Sequence, residues 1–209
     1  ILQDPPSQDV LRKIRTQITP GVWFCTLAAD LFFSLIFRVF WLLRVRTIAP
    51  WPKQGPLLLC PNHGSDLDGF LVFCSLPLHL KIRTYFLGYS LIFEHPSIRW
   101  SMKTARLVSI DASVRLTEAM QAASFLLSQG KIVSVFPEAE RSIDGQVKTF
   151  RKGIGILIKE LDVPVVPVYI ANSHRSWPRG SRFPRLCRVQ VTFGRPLRTA
   201  DLLKNRPSN

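Results

Sequence analysis

The chain has 209 residues, 46% of them hydrophobic, which excludes a disordered protein and is enough for one sizeable domain with its own core. Its formal net charge of +14 favours an anionic partner: nucleic acid, an anionic membrane or a phosphorylated small molecule. The four cysteines (Cys25, Cys60, Cys74 and Cys187) form no close pair. They predict buried thiols in a reducing compartment, and they fit neither a disulfide framework nor a zinc site.

The N-terminal residues predict a basic amphipathic helix. Ser7 is a suitable cap, and one face of the following helix is apolar, while the basic side chains lie mostly off that face. The apolar positions are Val10, Leu11, Ile14 and Ile18, and the basic ones are Arg12, Lys13 and Arg15. Pro20 and Gly21 end this helix, and its character is typical of a segment that lies on a membrane surface.

The next segment, Val22–Leu43, is almost wholly apolar and long enough to span a bilayer. Asp30 and Arg38 lie within it, however, and a charge at the bilayer centre costs roughly 2.5–3.5 kcal/mol. We therefore expect residues 1–46 to form a helical segment that lies in the membrane interface or enters one leaflet as a hairpin. A helix buried in the domain is the alternative, because apolar runs alone do not separate the two.

The rest of the chain alternates between predicted strands and helices, which indicates an α/β domain with a mixed, largely parallel sheet flanked by helices. The predicted strands are Leu57–Cys60, Ile82–Leu87, Leu107–Ile110, Ile132–Phe136, Val165–Ile170 and Val189–Phe193. The predicted helices are Gly69–Ser75, Pro96–Thr104, Val114–Ser128 and Lys152–Glu160. The tail from Thr199 is polar and is expected to be irregular.

A histidine and a carboxylate follow the first of these strands closely. The segment Asn62–Asp68 contains His63, Ser65, Asp66 and Asp68 in a short, glycine-containing turn. A neutral imidazole oriented by a carboxylate can accept a proton from a hydroxyl group near neutral pH. Either aspartate is within reach of His63, so the residues alone leave its partner open.

A second polar cluster follows the strand that ends at Phe136. Glu138, Arg141 and Ser142 lie in it, and in open α/β sheets functional sites lie beyond the carboxyl ends of the strands. We therefore expect both clusters to share one cleft. Downstream, Lys152 begins a helix together with Arg151, a combination that favours an anion site.

Three sequence blocks together resemble the glycerolipid acyltransferases, the family of 1-acylglycerol-3-phosphate acyltransferases. Asn62–Asp68 matches their N-H-x-x-x-x-D block, Phe136–Ser142 resembles F-P-E-G-x-R-S, and Val163–Val168 resembles their V-P-[IV]-[IV]-P-V strand. The blocks occur in the order of the family, and the resemblance covers roughly residues 50 to 198. It implies an acyltransferase catalytic domain over residues 47–209, which follows the membrane-associating segment expected over residues 1–46.

The resemblance implies roles for individual residues. His63 and Asp68 would be catalytic, and the substrates would contact Asn62, Ser65, Glu138, Arg141, Ser142 and Lys152. The activity would move a fatty acyl group from acyl-CoA or an acyl-carrier protein to the hydroxyl of a lysophospholipid acceptor, with no metal and no cofactor. The protein would work at the cytoplasmic face of an anionic membrane.

Two positions depart from the family pattern. Ala139 replaces the glycine after the glutamate, and Ala112 stands where the family usually has an arginine that contacts the acceptor phosphate. We therefore expect lysophospholipids with a substituted phosphate to be accepted at least as well as lysophosphatidic acid. The pattern around Ala112 resembles the branch fused to acyl-activating synthetases, and a chain beginning at Ile1 fits a portion of such a fusion.

Other functions remain as alternatives. A hydrolase would need a serine nucleophile, but the chain has no G-x-S-x-G motif around Ser65 or elsewhere. Seven arginines lie between Val163 and Ala200 without an acidic residue. They suit lipid headgroups, coenzyme A phosphates or an acidic carrier protein. Few aromatic residues are interleaved with them, so nucleic acid is not the expected partner. A non-catalytic membrane-binding module would leave both motif blocks without a role.

Overall fold

The structure is a computed structural model, and it describes residues 2, 4–14, 20–88, 106–110 and 115–204. The described helices are α1 (Gln8–Ile14), α2 (Pro20–Phe40), α3 (Asp68–Ser75), α4 (Leu78–Lys81), α5 (Leu116–Ser128), α6 (Lys152–Leu161), α7 (Ser173–Ser176) and α8 (Thr199–Lys204). The strands are β1 (Arg44–Thr47), β2 (Leu57–Pro61), β3 (Thr84–Gly88), β4 (Leu107–Ser109), β5 (Ile132–Val135), β6 (Val165–Ala171) and β7 (Gln190–Phe193).

All of these strands belong to one seven-stranded sheet, in the order β1-β7-β6-β2-β5-β3-β4. Strands β6, β2, β5, β3 and β4 run parallel to one another. Strand β7 is antiparallel to β6 and parallel to β1, so these two strands run in the opposite direction. The mixed, largely parallel sheet expected from the sequence is therefore confirmed.

Helices cover both faces of the sheet because its central strands are apolar on both sides. In β2, Leu57 and Leu59 pack with α2 and α3 on one face, whereas Leu58 and Cys60 pack with α1, α5 and α6 on the other. Strand β2 is buried along its whole length. The turn that follows β2 thus begins directly after a fully buried central strand.

The N-terminal helices pack against this core on one side only. Phe37 of α2 and Trp41, directly after the helix, belong to the buried cluster, and Asp30 forms an ion pair of 2.5 Å with the buried Lys81 of α4. The opposite side of α2 exposes large apolar side chains. Within the described residues, no helix combines the length and apolar character needed to cross a membrane. The expected boundary between residues 46 and 47 falls inside β1.

Most predicted elements lie within a few residues of the observed ones, and the differences have local causes. Strand β3 begins at Thr84 because Ile82 and Arg83 form the turn after the short helix α4. The irregular tail expected from Thr199 is wrong for residues 199–204, which form α8. There the backbone N–H of Arg198 donates to the carboxylate of Asp201, as in a helix N-cap. The predicted helix Pro96–Thr104 lies outside the described residues, as does Ile18.

Candidate active site

Both motif blocks lie at the carboxyl end of the parallel strands. Strands β2 and β5 are parallel neighbours, so the segments that follow Pro61 and Val135 leave the sheet side by side. A backbone hydrogen bond of 2.7 Å from Ser142 N to His63 O joins the two segments directly. The two polar clusters, which the sequence predicts to share one cleft, are therefore adjacent in the structure.

His63 and Asp68 are paired within the first segment. The ring nitrogen Nδ1 of His63 lies 2.9 Å from Oδ2 of Asp68. The same oxygen accepts the backbone N–H groups of Gly64 and Ser65 at 2.7 and 2.8 Å. An ionised carboxylate can only accept hydrogen bonds, so in the neutral imidazole this contact places the proton on Nδ1 and leaves the lone pair on Nε2. Of the two candidate aspartates, the geometry selects Asp68.

The ring of His63 is also held from the second segment. Phe136 stacks on it with the ring centroids 3.9 Å apart and the planes 17° from parallel. The His63 side chain nevertheless keeps 21% of its surface exposed, so a bound hydroxyl group can reach the imidazole. Pairing fixes one edge of the ring and stacking fixes its plane, which together leave Nε2 as the available proton acceptor.

Glu138 connects three segments of the site through its carboxylate. Its Oε1 accepts the backbone N–H of His63 and its Oε2 accepts the backbone N–H of Lys148, both at 2.9 Å. The residue is only 1% exposed. A buried carboxylate with a backbone partner on each oxygen fixes the position of both partner segments, because either bond is costly to lose in the interior.

Three further predicted site residues have polar side chains that are hydrogen-bonded to other groups of the protein. The side-chain amide of Asn62 bonds the backbone N and O of Ile170 in β6, at 2.7 and 3.4 Å. The Ser65 hydroxyl is buried and accepts Leu67 N at 3.0 Å, and the Ser142 hydroxyl bonds Asp144 and Gly145. Their predicted contacts with substrate stay predictions.

Positive side chains surround the second segment. Arg141 donates from Nη1 to Oδ2 of Asp66 at 2.5 Å. Glu140 lies 3.3 Å from Lys148 and 3.8 Å from both Arg151 and Arg179. Lys152 is exposed at the first position of α6. The cations at the start of α6 and around Glu140 are suited to contact an anionic group.

Of the two departures from the family pattern, Ala139 lies in the second motif segment. Ala139 has φ of 61°, a left-handed conformation that glycine adopts without strain, which explains a glycine at this position in the family. Ala112 lies outside the described residues. Among the residues that the structure does describe, no three histidine, cysteine or acidic side chains are grouped as metal ligands would be.

Sequence reasoning missed two contacts of the site. The sequence predicts Phe136 as the end of a strand, and only the pairing of β5 with β2 brings its ring onto His63. His174 in α7 packs closely over the turn, since a Cβ atom on Gly64 would lie 3.1 Å from the backbone nitrogen of His174. No local motif marks His174, and only the fold brings it to Gly64.

The family model named Acyltransferase matches residues 42–171, which is more than half of the chain. The chain belongs to the acyltransferase family. The matched range includes β2, both motif segments and β6, and hence all the contacts of His63 described above.

Curated relatives and a solved structure agree with this assignment. A 1-acyl-sn-glycerol-3-phosphate acyltransferase of Chlamydomonas reinhardtii is 28% identical over 82% of this chain and 48% of its own. The chloroplastic LPAT1 of Arabidopsis thaliana, with the same enzyme name, is 27% identical over 85% of this chain and 50% of its own. The chain thus spans about half the length of these relatives.

The crystal structure of the 1-acyl-sn-glycerophosphate acyltransferase PlsC from Thermotoga maritima has the same fold. Its TM-score is 0.65 at 22% identity, and the match covers 96% of this chain and 80% of that one.

The close packing of the turn predicts that alanine lowers the stability of the protein at Gly64 but not at the nearby Gly69. A Cβ atom on Gly64 would lie 2.9 Å from Ser173 Oγ, whereas one on Gly69 would have no neighbour within 4 Å. We expect Gly64→Ala to cost about 1–3 kcal/mol and to lower activity, because α7 and the turn must separate. Gly69→Ala in α3 should be neutral or slightly stabilising. Thermal unfolding of both variants tests this, and equal melting temperatures would contradict the described packing.

Proposed function

We propose that this chain is the catalytic domain of an O-acyltransferase that moves a fatty acyl group from a thioester to the hydroxyl of a glycerol phosphate-type acceptor. The observation that supports it most is the pairing of His63 with Asp68 beside Arg141, in a chain of the acyltransferase family. The names of the relatives support lysophosphatidic acid or a related lysophospholipid as the acceptor.

In the proposed reaction His63 acts as the general base. Its Nε2 takes the proton of the acceptor hydroxyl while the oxygen attacks the thioester carbonyl, and the carbon–sulfur bond then breaks. The thiolate leaves readily because a thiol pKa is about 8.5, so no acyl-enzyme intermediate is required. Asp68 holds the imidazole in the Nδ1–H tautomer and stabilises the imidazolium. The buried hydroxyl of Ser65 gives little support to a hydrolase with a serine nucleophile.

For Glu138 we propose a positioning role in place of the acceptor contact implied by the resemblance. The carboxylate is buried, and each oxygen is bonded to a backbone N–H group, one of which belongs to His63 itself. Arg141 remains the candidate for the acceptor phosphate, since a guanidinium is suited to phosphate oxygens. The cations around Glu140 and the arginines that follow β6 suit the phosphates of acyl-CoA or an acidic acyl-carrier protein.

The exposed side of α2 is proposed to rest on an anionic membrane surface. Phe24, Leu31, Leu35 and Val39 recur at helical spacing on that side, and Leu31 is 74% exposed. A contiguous exposed apolar surface next to basic side chains is typical of an interfacial helix. Such a location would give the enzyme access to acceptors in the bilayer. The side of the membrane stays a prediction.

The function is tested by substitution of the paired residues. His63→Ala should lower acyl transfer from a labelled acyl thioester to lysophosphatidic acid by about 10²–10⁴-fold, because the proton acceptor is lost. Asp68→Asn should be more damaging than Asp66→Asn, since the hydrogen bond described for the His63 ring is with Asp68, whereas the described hydrogen bond of Asp66 is with Arg141. Product formation is measured by mass spectrometry of the lipids. Activity of His63→Ala within a few-fold of wild type would exclude His63 as the base.

The role of Glu138 is tested by the split between turnover and substrate affinity. Glu138→Gln places an amide NH₂ against a backbone N–H group, and we expect a loss in kcat of about 10–100-fold through displacement of His63. The KM values for donor and acceptor should change by only a few-fold. Glu160→Gln, the same change at an exposed position of α6, is the matched control. A selective rise in the acceptor KM would instead place Glu138 at the acceptor.

The membrane contact is tested with serine substitutions on the exposed side of α2. The combined variant Leu31→Ser, Leu35→Ser and Val39→Ser should lose cosedimentation with vesicles of phosphatidylglycerol and phosphatidylcholine. Its melting temperature should be unchanged, because these side chains are exposed. The control variant replaces three exposed apolar residues elsewhere, Ile48, Leu116 and Leu203, by serine. Unchanged vesicle binding in the α2 variant would refute this contact.

A further inference from the structure

The guanidinium of Arg141 already has a carboxylate partner in the protein. Asp66 accepts its Nη1 at 2.5 Å, and the two side chains are only 15% and 27% exposed, respectively. Both residues are fixed next to the base: Asp66 lies in the turn between His63 and Asp68, and Ser142, the neighbour of Arg141, bonds His63 O. This pair therefore lies at the site and differs from the surface ion pairs of the chain.

The surroundings of Asp66 make it a costly place for a negative charge. Burial raises the pKa of the Asp66 carboxyl group, and Arg141 and His63 oppose this effect while the neighbouring Asp68 adds to it. A carboxylate at such a position changes the electrostatic potential at the site more than one in water would, because the lower dielectric weakens screening.

Arg141 can bind an acceptor anion without releasing Asp66. One N–H group of the guanidinium is bonded to Asp66, and the structure shows no further hydrogen bond of this side chain within the described residues. The remaining N–H groups are available for phosphate oxygens. A phosphate bound there would contact the guanidinium of Arg141, whose positive charge Asp66 largely neutralises.

We propose that Asp66 is a specificity-determining residue that reduces the preference for phosphomonoester acceptors over phosphodiester acceptors. This inference rests on the proposed function, since it concerns the acceptor phosphate at Arg141. It adds a residue that the family resemblance does not assign to substrate selection.

The direction of the effect follows from charge. A phosphomonoester has a second pKa of about 6 and is a dianion at pH 8, whereas a phosphodiester is a monoanion. An unpaired Arg141 would attract the dianion more strongly than the monoanion. Asp66 repels the dianion more strongly than the monoanion, and the difference is similar in size to the extra attraction from Arg141. The nearly neutral pair of Asp66 and Arg141 therefore discriminates little between the two acceptors. At about 6 Å and an effective dielectric constant of about 40, between the values for a protein surface and for water, one unit charge corresponds to roughly tenfold in affinity.

The test compares two acceptors that differ in phosphate charge. Wild type, Asp66→Asn and the matched control Asp162→Asn are assayed with lysophosphatidic acid and with lysophosphatidylglycerol of the same acyl chain. Asp162 is an exposed residue at the C-terminus of α6, so its variant has the same change in charge far from the site. The measured quantity is the ratio of kcat/KM for the two acceptors.

We expect Asp66→Asn to raise this ratio in favour of lysophosphatidic acid by roughly three- to tenfold at pH 8. Towards pH 5.5 the increase should shrink as the phosphomonoester takes up a proton. Asp162→Asn should leave the ratio unchanged. A role of Asp66 that is only structural would lower kcat/KM for both acceptors equally, and an unchanged ratio overturns the proposal.

Two further results are informative. If Asp66→Asn is unfolded, the same ratio is measured in Asp66→Ser, because serine also suits a turn. If the folded variant is inactive, the shift in melting temperature with glycerol 3-phosphate is compared with that for glycerophosphoglycerol, and an unchanged difference overturns the proposal. A wild type that acylates neither acceptor refutes the proposed function as well, whereas activity with an unshifted ratio refutes only the role of Asp66.

Discussion

One oxygen atom, Oδ2 of Asp68, determines the geometry of the site. It accepts the imidazole N–H of His63 and the backbone N–H groups of Gly64 and Ser65. Asp68 is also the first residue of α3, where the helix dipole stabilises a negative charge. The same buried carboxylate thus closes the turn, begins the helix and sets the tautomer of the base, so these features cannot vary independently.

The surrounding fold holds this arrangement in place. Strand β2 brings the turn to the carboxyl end of the parallel strands. Asn62 then bonds this turn to β6, through the backbone of Ile170. From the neighbouring strand β5, Phe136 stacks on the imidazole and Glu138 accepts the N–H group of His63. The two motif segments therefore form one hydrogen-bonded unit in which buried polar side chains orient the base.

The sequence predicts much of this structure, because the information is local. Alternating apolar strands and helices predict the sheet, and the spacing within one turn predicts that His63 contacts Asp66 or Asp68. The structure selects Asp68. Contacts between distant residues are not accessible in this way. The hydrogen bonds of Glu138, the pairing of Asp66 with Arg141 and the approach of His174 to Gly64 depend on the strand order. Strand β1 was missed because four exposed residues have no apolar pattern.

The central claim is that His63 presents an unprotonated Nε2 because Asp68 holds the proton on Nδ1. Nitrogen NMR of the selectively labelled histidines, at a pH where the imidazole is neutral, tests it most directly. For His63 the account predicts the shift pattern of the Nδ1–H tautomer, and conversion to a tautomer mixture in Asp68→Asn. A His63 signal of the Nε2–H tautomer in the wild-type protein would contradict the account.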